Sequence, residues 1–281
     1  MNLKEKFFLG KENTKIFYLQ DIPSNAKAII IIAHGYMEHS GHYIDFANKL
    51  VEKNYGVCIL DLRGNAKSEG EHGDINDFFL YVEDLKYLIT NLNKYKKTII
   101  TYGHSMGGLI TFLYGLIYPK DVKGQIFASP ALGFPALCNY IPKKIYEKIG
   151  QTVPIIKFNH FPYGVNFAVK NKEFVDKFTK DTLSTKFGTA RFFDQFLRCG
   201  IEYAENHACQ YELNSLFLLG TNDYVIPIKN TFKTLNKIPN FNKKVIIYKK
   251  CMHDLLHDED YNIKKILQDI FKWLKFIIKE R

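Results

Sequence analysis

Residues 98–108 read TIITYGHSMGG, and this stretch decides which fold the sequence can adopt. A strand-length run of β-branched residues leads into Gly-x-Ser-x-Gly, and the apolar pattern of a helix follows at once. A serine flanked in this way sits on a tight strand-to-helix turn, because the two glycines let neighbouring backbones approach closely and leave its Oγ exposed. The N-terminus of the following helix also favours negative charge there. Ser105 is therefore the predicted nucleophile, and a glycine-rich turn without chemistry is the alternative.

On both sides of this stretch, short apolar runs alternate with longer amphipathic ones. The predicted strands are Ala28–Ala33, Val57–Leu60, Thr98–Tyr102, Gly124–Ala128, Leu216–Leu219 and Lys244–Tyr248, after an N-terminal hairpin over Lys6–Leu9 and Lys15–Leu19. The predicted helices are Tyr43–Lys53, Ile75–Lys94, Gly107–Tyr118 and Asn262–Lys279. Continuous apolar runs are typical of strands covered on both faces. The pattern predicts an α/β protein with a mostly parallel, doubly wound sheet and functional loops at the carboxyl ends of its strands.

The alternation breaks over residues 131–211, which carry helical patterns, several prolines and no clear buried strand. The prolines include Pro135, Pro142, Pro154 and Pro162. The aromatic residues include Phe158, Phe161, Tyr163, Phe167, Phe174, Phe178, Phe187, Phe192, Phe193 and Phe196. We interpret residues 131–211 as a helical cap inserted into a core formed by residues 1–130 and 212–281. Each aromatic side chain is more typical of packing between cap and core, while a few are expected to touch an acyl chain.

The composition is that of a globular protein, with 46% hydrophobic and 24% charged residues. The formal net charge of +10 comes mostly from lysines spread along the chain, which is typical of a solvated surface and does not predict nucleic-acid binding. The basic amphipathic pattern of residues 262–279 is compatible with a membrane surface. Packing as the last helix of the fold is the simpler interpretation.

The cysteines and the apolar runs bear on the compartment. Five cysteines are scattered without CxxC spacing, which predicts neither a disulfide framework nor a zinc site. The longest apolar runs are far below the ~18 residues that span a bilayer, and the N-terminus lacks a signal-peptide pattern. We therefore expect a cytoplasmic protein. The cysteines are Cys58, Cys138, Cys199, Cys209 and Cys251.

A serine nucleophile needs a base, and the base needs a carboxylate that orients it. Asp223 follows the predicted strand Leu216–Leu219, and His253 follows the strand Lys244–Tyr248, so both come after Ser105 in the order acid, then histidine. His257 is the competing base, although it is expected to lie in the segment that leaves the site. Asp254 is the competing acid, but a carboxylate next to the histidine in sequence usually points away from it, and a helix N-cap is the alternative role.

A tetrahedral intermediate requires two backbone N–H donors for its oxyanion. Met106, the residue after the nucleophile, is expected to supply one. The loop after strand Ala28–Ala33 begins His34-Gly35, and Tyr36 is the predicted second donor.

Three histidines, His34, His39 and His42, lie in or beside this loop. Hydrogen bonding at the surface or behind the site is their expected role. Metal binding is disfavoured, because no acidic or cysteine partner follows at a recognisable spacing. We predict no metal and no cofactor.

Three motifs occur in a fixed order: His-Gly-x-x-Glu-His-Ser-Gly-x-Tyr from His34, residues 61–70 reading DLRGNAKSEG, and Gly-His-Ser-Met-Gly-Gly from Gly103. In these motifs the chain resembles the monoglyceride lipases and lysophospholipases of the α/β-hydrolase superfamily, in the group also labelled serine-aminopeptidase-like. The resemblance covers nearly all of the chain outside the cap, where residues 180–183, KDTL, resemble a short Asp-Pro-Leu signature. The chain departs from it in two motifs: Met37 stands where glycine is common, and Asn65 with Lys67 replaces the usual His-Gly-x-Ser sequence.

The resemblance implies an α/β-hydrolase fold with an inserted cap, a triad of Ser105, Asp223 and His253, and an oxyanion hole formed by Tyr36 and Met106. It also implies a serine ester hydrolase that acts on small lipid esters, either a monoacylglycerol or a lysophospholipid. A general carboxylesterase or thioesterase is the alternative enzyme, and a non-catalytic binding protein is a second alternative. An aminopeptidase is disfavoured, because the cap shows no acidic cluster that would hold an amine. The aromatic cap leaves peripheral contact with a membrane open.

Overall fold

The computed structural model describes residues 2–136, 138, 143–159, 163–239 and 243–279. Ten strands are present in the described part of the chain. In chain order they are β1 (Lys4–Leu9), β2 (Lys15–Asp21), β3 (Ile29–Ala33), β4 (Gly56–Leu60), β5 (Ile99–His104), β6 (Gly124–Ala128), β7 (Lys157–Asn159), β8 (Phe187–Thr189), β9 (Ser215–Gly220) and β10 (Lys243–Tyr248).

Eight of these strands form one sheet in the order β1-β2-β4-β3-β5-β6-β9-β10. The pairs from β4 to β10 are all parallel, whereas β1 pairs antiparallel with β2, and β2 antiparallel with β4. The predicted hairpin therefore forms one edge, and the predicted parallel strands form the rest. The sheet confirms the predicted α/β-hydrolase architecture.

The helices cover both faces of this sheet. They are α1 (Ile44–Glu52), α2 (Phe79–Leu92), α3 (Ser105–Ile117), α4 (Lys143–Thr152), α5 (Tyr163–Ala168), α6 (Lys172–Lys180), α7 (Ala190–Asp194), α8 (Tyr203–His207), α9 (Ile228–Leu235) and α10 (Asp260–Lys279), with a π-helical stretch, Gln195–Glu202, between α7 and α8. Alternate isoleucines of β3 enter opposite layers: Ile29 and Ile31 pack with residues of α2 and α3, and Ile30 and Ile32 pack with residues of α1 and α10. This alternation explains why the strand is apolar throughout.

Helix α10 packs on the core. Ile266, Ile270 and Leu274 are fully buried, as the apolar stripe predicts, and Trp273 is buried beside them. The packing interpretation of this basic helix is therefore confirmed. No helix among the described residues combines the length and the apolar character needed to cross a membrane.

Between β6 and β9 the chain is mostly helical, with one difference from expectation. Strands β7 and β8 pair antiparallel in a small separate sheet, although the sequence showed no strand there. Each has three residues, and β7 is exposed, so neither carries a buried apolar run.

Helix α9, which follows β9, was also not predicted. Phe161, Pro142 and Pro162 lie outside the described residues, as does the side chain of Tyr163.

Candidate active site

The turn between β5 and α3 holds Ser105 in the left-handed region, with φ of +50°. A Cβ added at Gly103 would lie 2.4 Å from the carbonyl oxygen of Gly107, and one added at Gly107 would lie 2.2 Å from that of Ala33. Both glycines are therefore required by close backbone approach. The result is the strained strand-to-helix turn that the pentapeptide predicts.

Asp223 and His253 meet at the carboxyl ends of β9 and β10. His253 Nδ1 lies 2.7 Å from Asp223 Oδ2, and both side chains are buried. The other carboxylate oxygen, Oδ1, accepts hydrogen bonds from the backbone N–H groups of Val225 (3.0 Å) and Ile226 (2.8 Å). Because Nδ1 donates to the carboxylate, Nε2 is the nitrogen left to accept a proton. The two predicted partners are thus brought together in the tautomer that a general base needs.

Two opposing effects act on the pKa of His253. Burial lowers it, but the charge of Asp223 and the hydrogen bond to it raise it more, with smaller contributions from Asp254 and Glu38. The net pKa is raised above the ordinary 6.5. Asp223 therefore favours the imidazolium that forms when the histidine takes a proton.

The loops after β3, β5 and β10 converge around Ser105. The rings of His104 and His253 lie 5.0 Å apart between centroids. A Cβ built on Gly35 would come within 3.2 Å of the Cβ of Ser105, so the second residue of the loop after β3 passes directly beside the serine. Met106 is buried in the first turn of α3, where helix N–H groups lack intrahelical partners. The predicted site residues thus come from four loops, which follow β3, β5, β9 and β10.

Residues 35–38 form a β-turn that carries Tyr36. The N–H of Glu38 donates to Gly35 O at 3.3 Å, and Met37 has φ of +68°. Positive φ at this third position is the mark of a type II turn, in which glycine is the usual residue. A side chain in that conformation costs about 1 to 2 kcal/mol. The departure at Met37 therefore lies at a strained backbone position, and its side chain is 6% exposed.

Glu38 stabilises this turn through hydrogen bonds, and this role was not identified from the sequence. Its Oε2 accepts hydrogen bonds from the Gly35 N–H and from the Tyr43 hydroxyl, both at 2.6 Å. Burial raises its pKa, but the nearby His104 and His42 imidazoles and the hydrogen bond from the Tyr43 hydroxyl together lower it more, so the net pKa lies below its ordinary value. The sequence motif Glu-His-Ser-Gly was a signal for this role, although the hydrogen bond to Gly35 could be found only from the fold.

The loop after β4 supports the same region. Asp61 Oδ1 accepts from the Ser40 N–H at 2.7 Å, and Oδ2 accepts from the Lys67 N–H at 3.1 Å. Asn65 donates from Nδ2 to Arg63 O at 3.0 Å. The two residues that depart from the family motif, Asn65 and Lys67, therefore contribute hydrogen bonds to the structure of this loop.

His39 and His42 hydrogen-bond to one carboxylate, which agrees with the hydrogen-bonding role expected for them. Asp181, from the segment that resembles Asp-Pro-Leu, places Oδ2 2.7 Å from His39 Nε2 and 3.1 Å from His42 Nε2. Asp181 lies about 140 residues away in sequence, so it is not an acidic partner at a recognisable metal-motif spacing. His34 is fully buried, and its Nε2 accepts from the Leu62 N–H at 2.9 Å.

The three groups around Asp181 have the composition of a metal site, but their hydrogen bonds do not fit one. The Gly41 N–H donates to His39 Nδ1 at 3.0 Å, so Nε2 carries the proton and donates to the carboxylate. A histidine that binds metal through Nε2 normally donates through Nδ1. His42 Nδ1 has no partner among the described residues, and burial lowers the His42 pKa to about 4. The arrangement is that of two neutral donors to one carboxylate.

The competing residues Asp254 and His257 pair with each other. His257 Nδ1 lies 2.7 Å from Asp254 Oδ2, and Asp254 caps the short helix Leu255–His257 by accepting from the Leu256 N–H at 3.1 Å. The alternative role as a helix cap is thus the observed one. Among the described residues Asp254 does not hydrogen-bond to His253, whereas Asp223 does.

Comparison with known proteins identifies the family. The profile of Hydrolase_4, the serine aminopeptidase S33 family, matches residues 24–260. The chain belongs to this family. Over 277 residues it is 24% identical to the monoacylglycerol lipase of Mycolicibacterium smegmatis, covering 96% of both chains, and over 252 residues it is 27% identical to the monoglyceride lipase of Rattus norvegicus, covering 88% of this chain and 82% of the relative.

A solved structure shows the same fold for this Hydrolase_4 member. The crystal structure of Paleococcus ferrophilus monoacylglycerol lipase superposes with a TM-score of 0.81 over the whole of both chains, at 20% identity. At that identity the likeness concerns the fold. The family match and the fold confirm the resemblance stated from the three sequence motifs.

Proposed function

We propose that the protein is a serine ester hydrolase that cleaves small lipid esters through an acyl-enzyme on Ser105. The observation that carries the proposal is the 2.7 Å hydrogen bond between His253 Nδ1 and Asp223 Oδ2, formed beside a strained turn that bears Ser105. The names of the relatives support a monoacylglycerol as substrate.

Acylation begins when Ser105 Oγ attacks the ester carbonyl carbon while His253 Nε2 removes the hydroxyl proton. Negative charge moves to the carbonyl oxygen, where the N–H groups of Tyr36 and Met106 donate hydrogen bonds. Asp223 stabilises the imidazolium. The intermediate then collapses, and His253 returns the proton to the departing alcohol.

Deacylation repeats these steps with water. His253 removes a proton from a water molecule as its oxygen attacks the acyl carbon, and the released Ser105 takes that proton back. The products are a fatty acid and the alcohol, and the step needs no cofactor. The chemistry balances with the residues of this chain alone.

We assign the role of cap to residues 131–211. Aromatic side chains of this segment lie over the loop after β3: Tyr36 stacks on Phe192 with 5.0 Å between ring centroids, and Phe193 meets it edge-on at 5.8 Å. Apolar surface of this kind favours an acyl chain, at about 25 cal/mol per Å² buried. This apolar cover beside the serine supports a lipid ester over a polar one.

The cap also offers a surface for peripheral contact with a membrane. Ile145, Ile155, Ile156 and Phe158 are exposed within one short segment, and Ile155 is 74% exposed. Lys144, Lys148 and Lys157 are exposed among them. Apolar side chains interspersed with lysines suit the interface of an anionic bilayer. We propose this segment, residues 143–159, as the membrane-facing part of the cap.

Labelling with a fluorophosphonate probe tests the mechanism. We expect the wild-type protein to be labelled and Ser105→Ala to show no labelling above background. Ser184→Ala is the matched control, because the Ser184 hydroxyl is buried without a hydrogen-bond partner among the described residues, and its loss should leave labelling intact. A folded wild-type protein that resists the probe contradicts the enzyme assignment.

A substrate series tests the chemical class. Monoacylglycerols and lysophospholipids of increasing chain length should be compared with short p-nitrophenyl esters, acyl thioesters and an aminoacyl anilide. We expect the highest kcat/KM on a long-chain monoacylglycerol. Preference for lysophospholipid would change the head group, and preference for the shortest esters or for thioesters would replace the lipid assignment.

A further inference from the structure

Met37 combines a costly backbone conformation with a position next to the expected oxyanion donor. Its φ of +68° belongs to the left-handed region that glycine adopts readily and other residues avoid. A methionine at the third position of this turn has a lower-energy alternative, which requires the peptide between Tyr36 and Met37 to flip. That flip changes ψ of Tyr36 and φ of Met37, so it rotates the Tyr36 carbonyl and the Met37 N–H and alters the turn that carries the Tyr36 N–H assigned to the oxyanion. Something must therefore hold the turn in place.

The Met37 side chain is held by the cap. It forms a small buried cluster with Val165, Val169 and Phe178, which lie in α5, directly after it, and in α6. All four side chains are less than 9% exposed. This cluster is separate from the two main cores of the sheet. Among the described residues, the other buried members of the cluster that contains Met37 thus all belong to the cap.

The same loop meets the cap at two further points. Gly188 leaves room for the Tyr36 hydroxyl, since a Cβ there would come within 2.7 Å of it. On the other side of the turn, His39 and His42 donate to Asp181 directly after α6. Tyr36 on one side of Met37, and His39 and His42 on the other, are therefore in contact with cap residues, so that the cap packs against both sides of the turn.

We propose that Met37 is a positioning residue that couples the cap to the oxyanion hole: the cap grips its side chain and thereby holds the strained turn in the conformation that presents the Tyr36 N–H. The inference rests on the proposed function, since it concerns the transition state of ester cleavage. It predicts that displacement of α5 and α6 lowers the rate of acylation without any change at Ser105 or His253.

Two substitutions at one position separate this coupling from ordinary packing. Met37→Ala removes the side-chain contact with the cap but keeps the Cβ that strains the backbone at positive φ. We therefore expect kcat for a soluble p-nitrophenyl ester to fall by roughly tenfold. Met37→Gly removes the grip and the strain together, so its kcat should be several-fold higher than that of Met37→Ala. A packing role alone predicts the opposite order, because glycine removes more contact and loosens the chain. Rates should be expressed per active site titrated with a fluorophosphonate.

A second comparison tests the cap side of the contact. Val169→Ala, which loosens the cluster, should lower kcat by about threefold in the wild-type background and have less effect on Met37→Gly. Val51→Ala is the matched control, since this valine is partly buried in α1 and packs with the core on the other side of the sheet, outside the cluster. Equal effects of Val169→Ala in both backgrounds, or a glycine variant no faster than the alanine variant, overturn the coupling. Absence of ester turnover in the folded wild type counts against the proposed function instead.

Discussion

At the scale of single residues, the assignment of Asp223 makes a prediction about rate and pH. Because Asp223 raises the pKa of His253, the acid limb of kcat/KM should have its midpoint above 6.5 in the wild type. Asp223→Asn should move that midpoint to lower pH and reduce kcat/KM by roughly 10³- to 10⁴-fold. The pH–rate profile of an activated ester measures both effects. Asp254→Asn is the comparison, and a larger loss in that variant would transfer the orienting role to Asp254.

The pair of Asp254 and His257 should stabilise the fold over a limited pH window. For His257, burial lowers the pKa, but Asp254 raises it above 6.5, so the contribution is complete below 6.5 and is lost as the pH rises through the raised value. For Asp254, burial raises the pKa, but His257 lowers it below 3.8, so the contribution is complete above 3.8 and is lost at lower pH. The pair therefore contributes most between these two values.

His257→Ala measures this window. The substitution should lower the free energy of unfolding by about 1 to 3 kcal/mol more at about pH 5.5 than at about pH 9. The reason is that the wild-type protein has the charged hydrogen bond only at the lower pH, so only there can the substitution remove it. Stacking of His257 on Phe174, at 3.5 Å between centroids, is lost at both values and cancels. Urea unfolding of both proteins gives the difference. Equal losses at the two pH values would contradict the pairing.

The sequence predicted individual residues where chemistry constrains their order along the chain. Ser105 could be identified because a nucleophile turn needs two glycines, and Asp223 and His253 because each follows a recognisable strand. Glu38 and Asp181 could not be assigned in this way. Their roles depend on contacts with a turn and with a distant loop, which leave no fixed spacing in the sequence. The triad and the oxyanion donors remain predictions until Ser105 is tested.

At the scale of secondary-structure elements, a buried ion pair joins α2 to the turn of the N-terminal hairpin. Arg63 donates from Nε and Nη2 to Asp84 at 2.9 Å each, and also to Lys11 O and the Thr14 hydroxyl. Asp84 in turn accepts from the Lys11 N–H at 2.9 Å. Both charged side chains are at most 7% exposed. The hairpin is thus attached through a closed set of hydrogen bonds.

Removal of one partner should be costly. Asp84→Ala is expected to lower the free energy of unfolding by about 3 to 5 kcal/mol, because it leaves the buried Arg63 guanidinium with only the exposed Glu12 carboxylate, at 3.7 Å, as a charged partner. The double variant Arg63→Leu with Asp84→Leu should lose less. Glu52→Ala, which breaks an exposed pair with Lys49, is the control and should change stability by less than about 1 kcal/mol. Urea denaturation at neutral pH measures these differences. A loss of unfolding free energy in Asp84→Ala as small as that in the control would contradict this role of Asp84.

Elements were predictable in proportion to how much apolar surface they bury. The central strands and the long helices were placed to within a few residues, because each carries a continuous or periodic apolar pattern. Strands β7 and β8 were missed because three residues with little burial give no period. Helix α9 was missed because it has eight residues and starts directly after Pro227, in the segment read as the loop of Asp223.

At the scale of the whole molecule, the proposed membrane-facing segment predicts how activity depends on the lipid surface. Ile155→Asp with Ile156→Asp should weaken binding to anionic phospholipid vesicles by about tenfold or more, because each isoleucine contributes roughly 1.5 to 3 kcal/mol when buried. Turnover of vesicle-borne monoacylglycerol should fall more than turnover of a soluble ester. Binding should also weaken with salt, in line with the net charge of +10.

Sedimentation with vesicles measures this binding. Tyr261→Asp is the control, because Tyr261 is 76% exposed on α10, far in sequence from the segment, and its loss should leave binding unchanged. Equal losses from both variants would show that the basic C-terminal helix, rather than residues 143–159, meets the membrane. Unchanged binding of the isoleucine variant would remove the cap from the interface.

The order of strands in the sheet also bears on when the site can form during synthesis of the protein. The turn that carries Ser105 contacts β3, α3 and the segment directly after β6, whereas Asp223 and His253 arrive with β9 and β10, which add to the edge next to β6. At about 5 to 20 residues per second, the roughly 150 residues from Ser105 to His253 take on the order of 7 to 30 s to synthesise. Throughout that interval a nascent chain holds its serine without a base. With the proposed triad, we expect the growing polypeptide on the ribosome to be hydrolytically silent and to become reactive only when the last quarter of the chain docks.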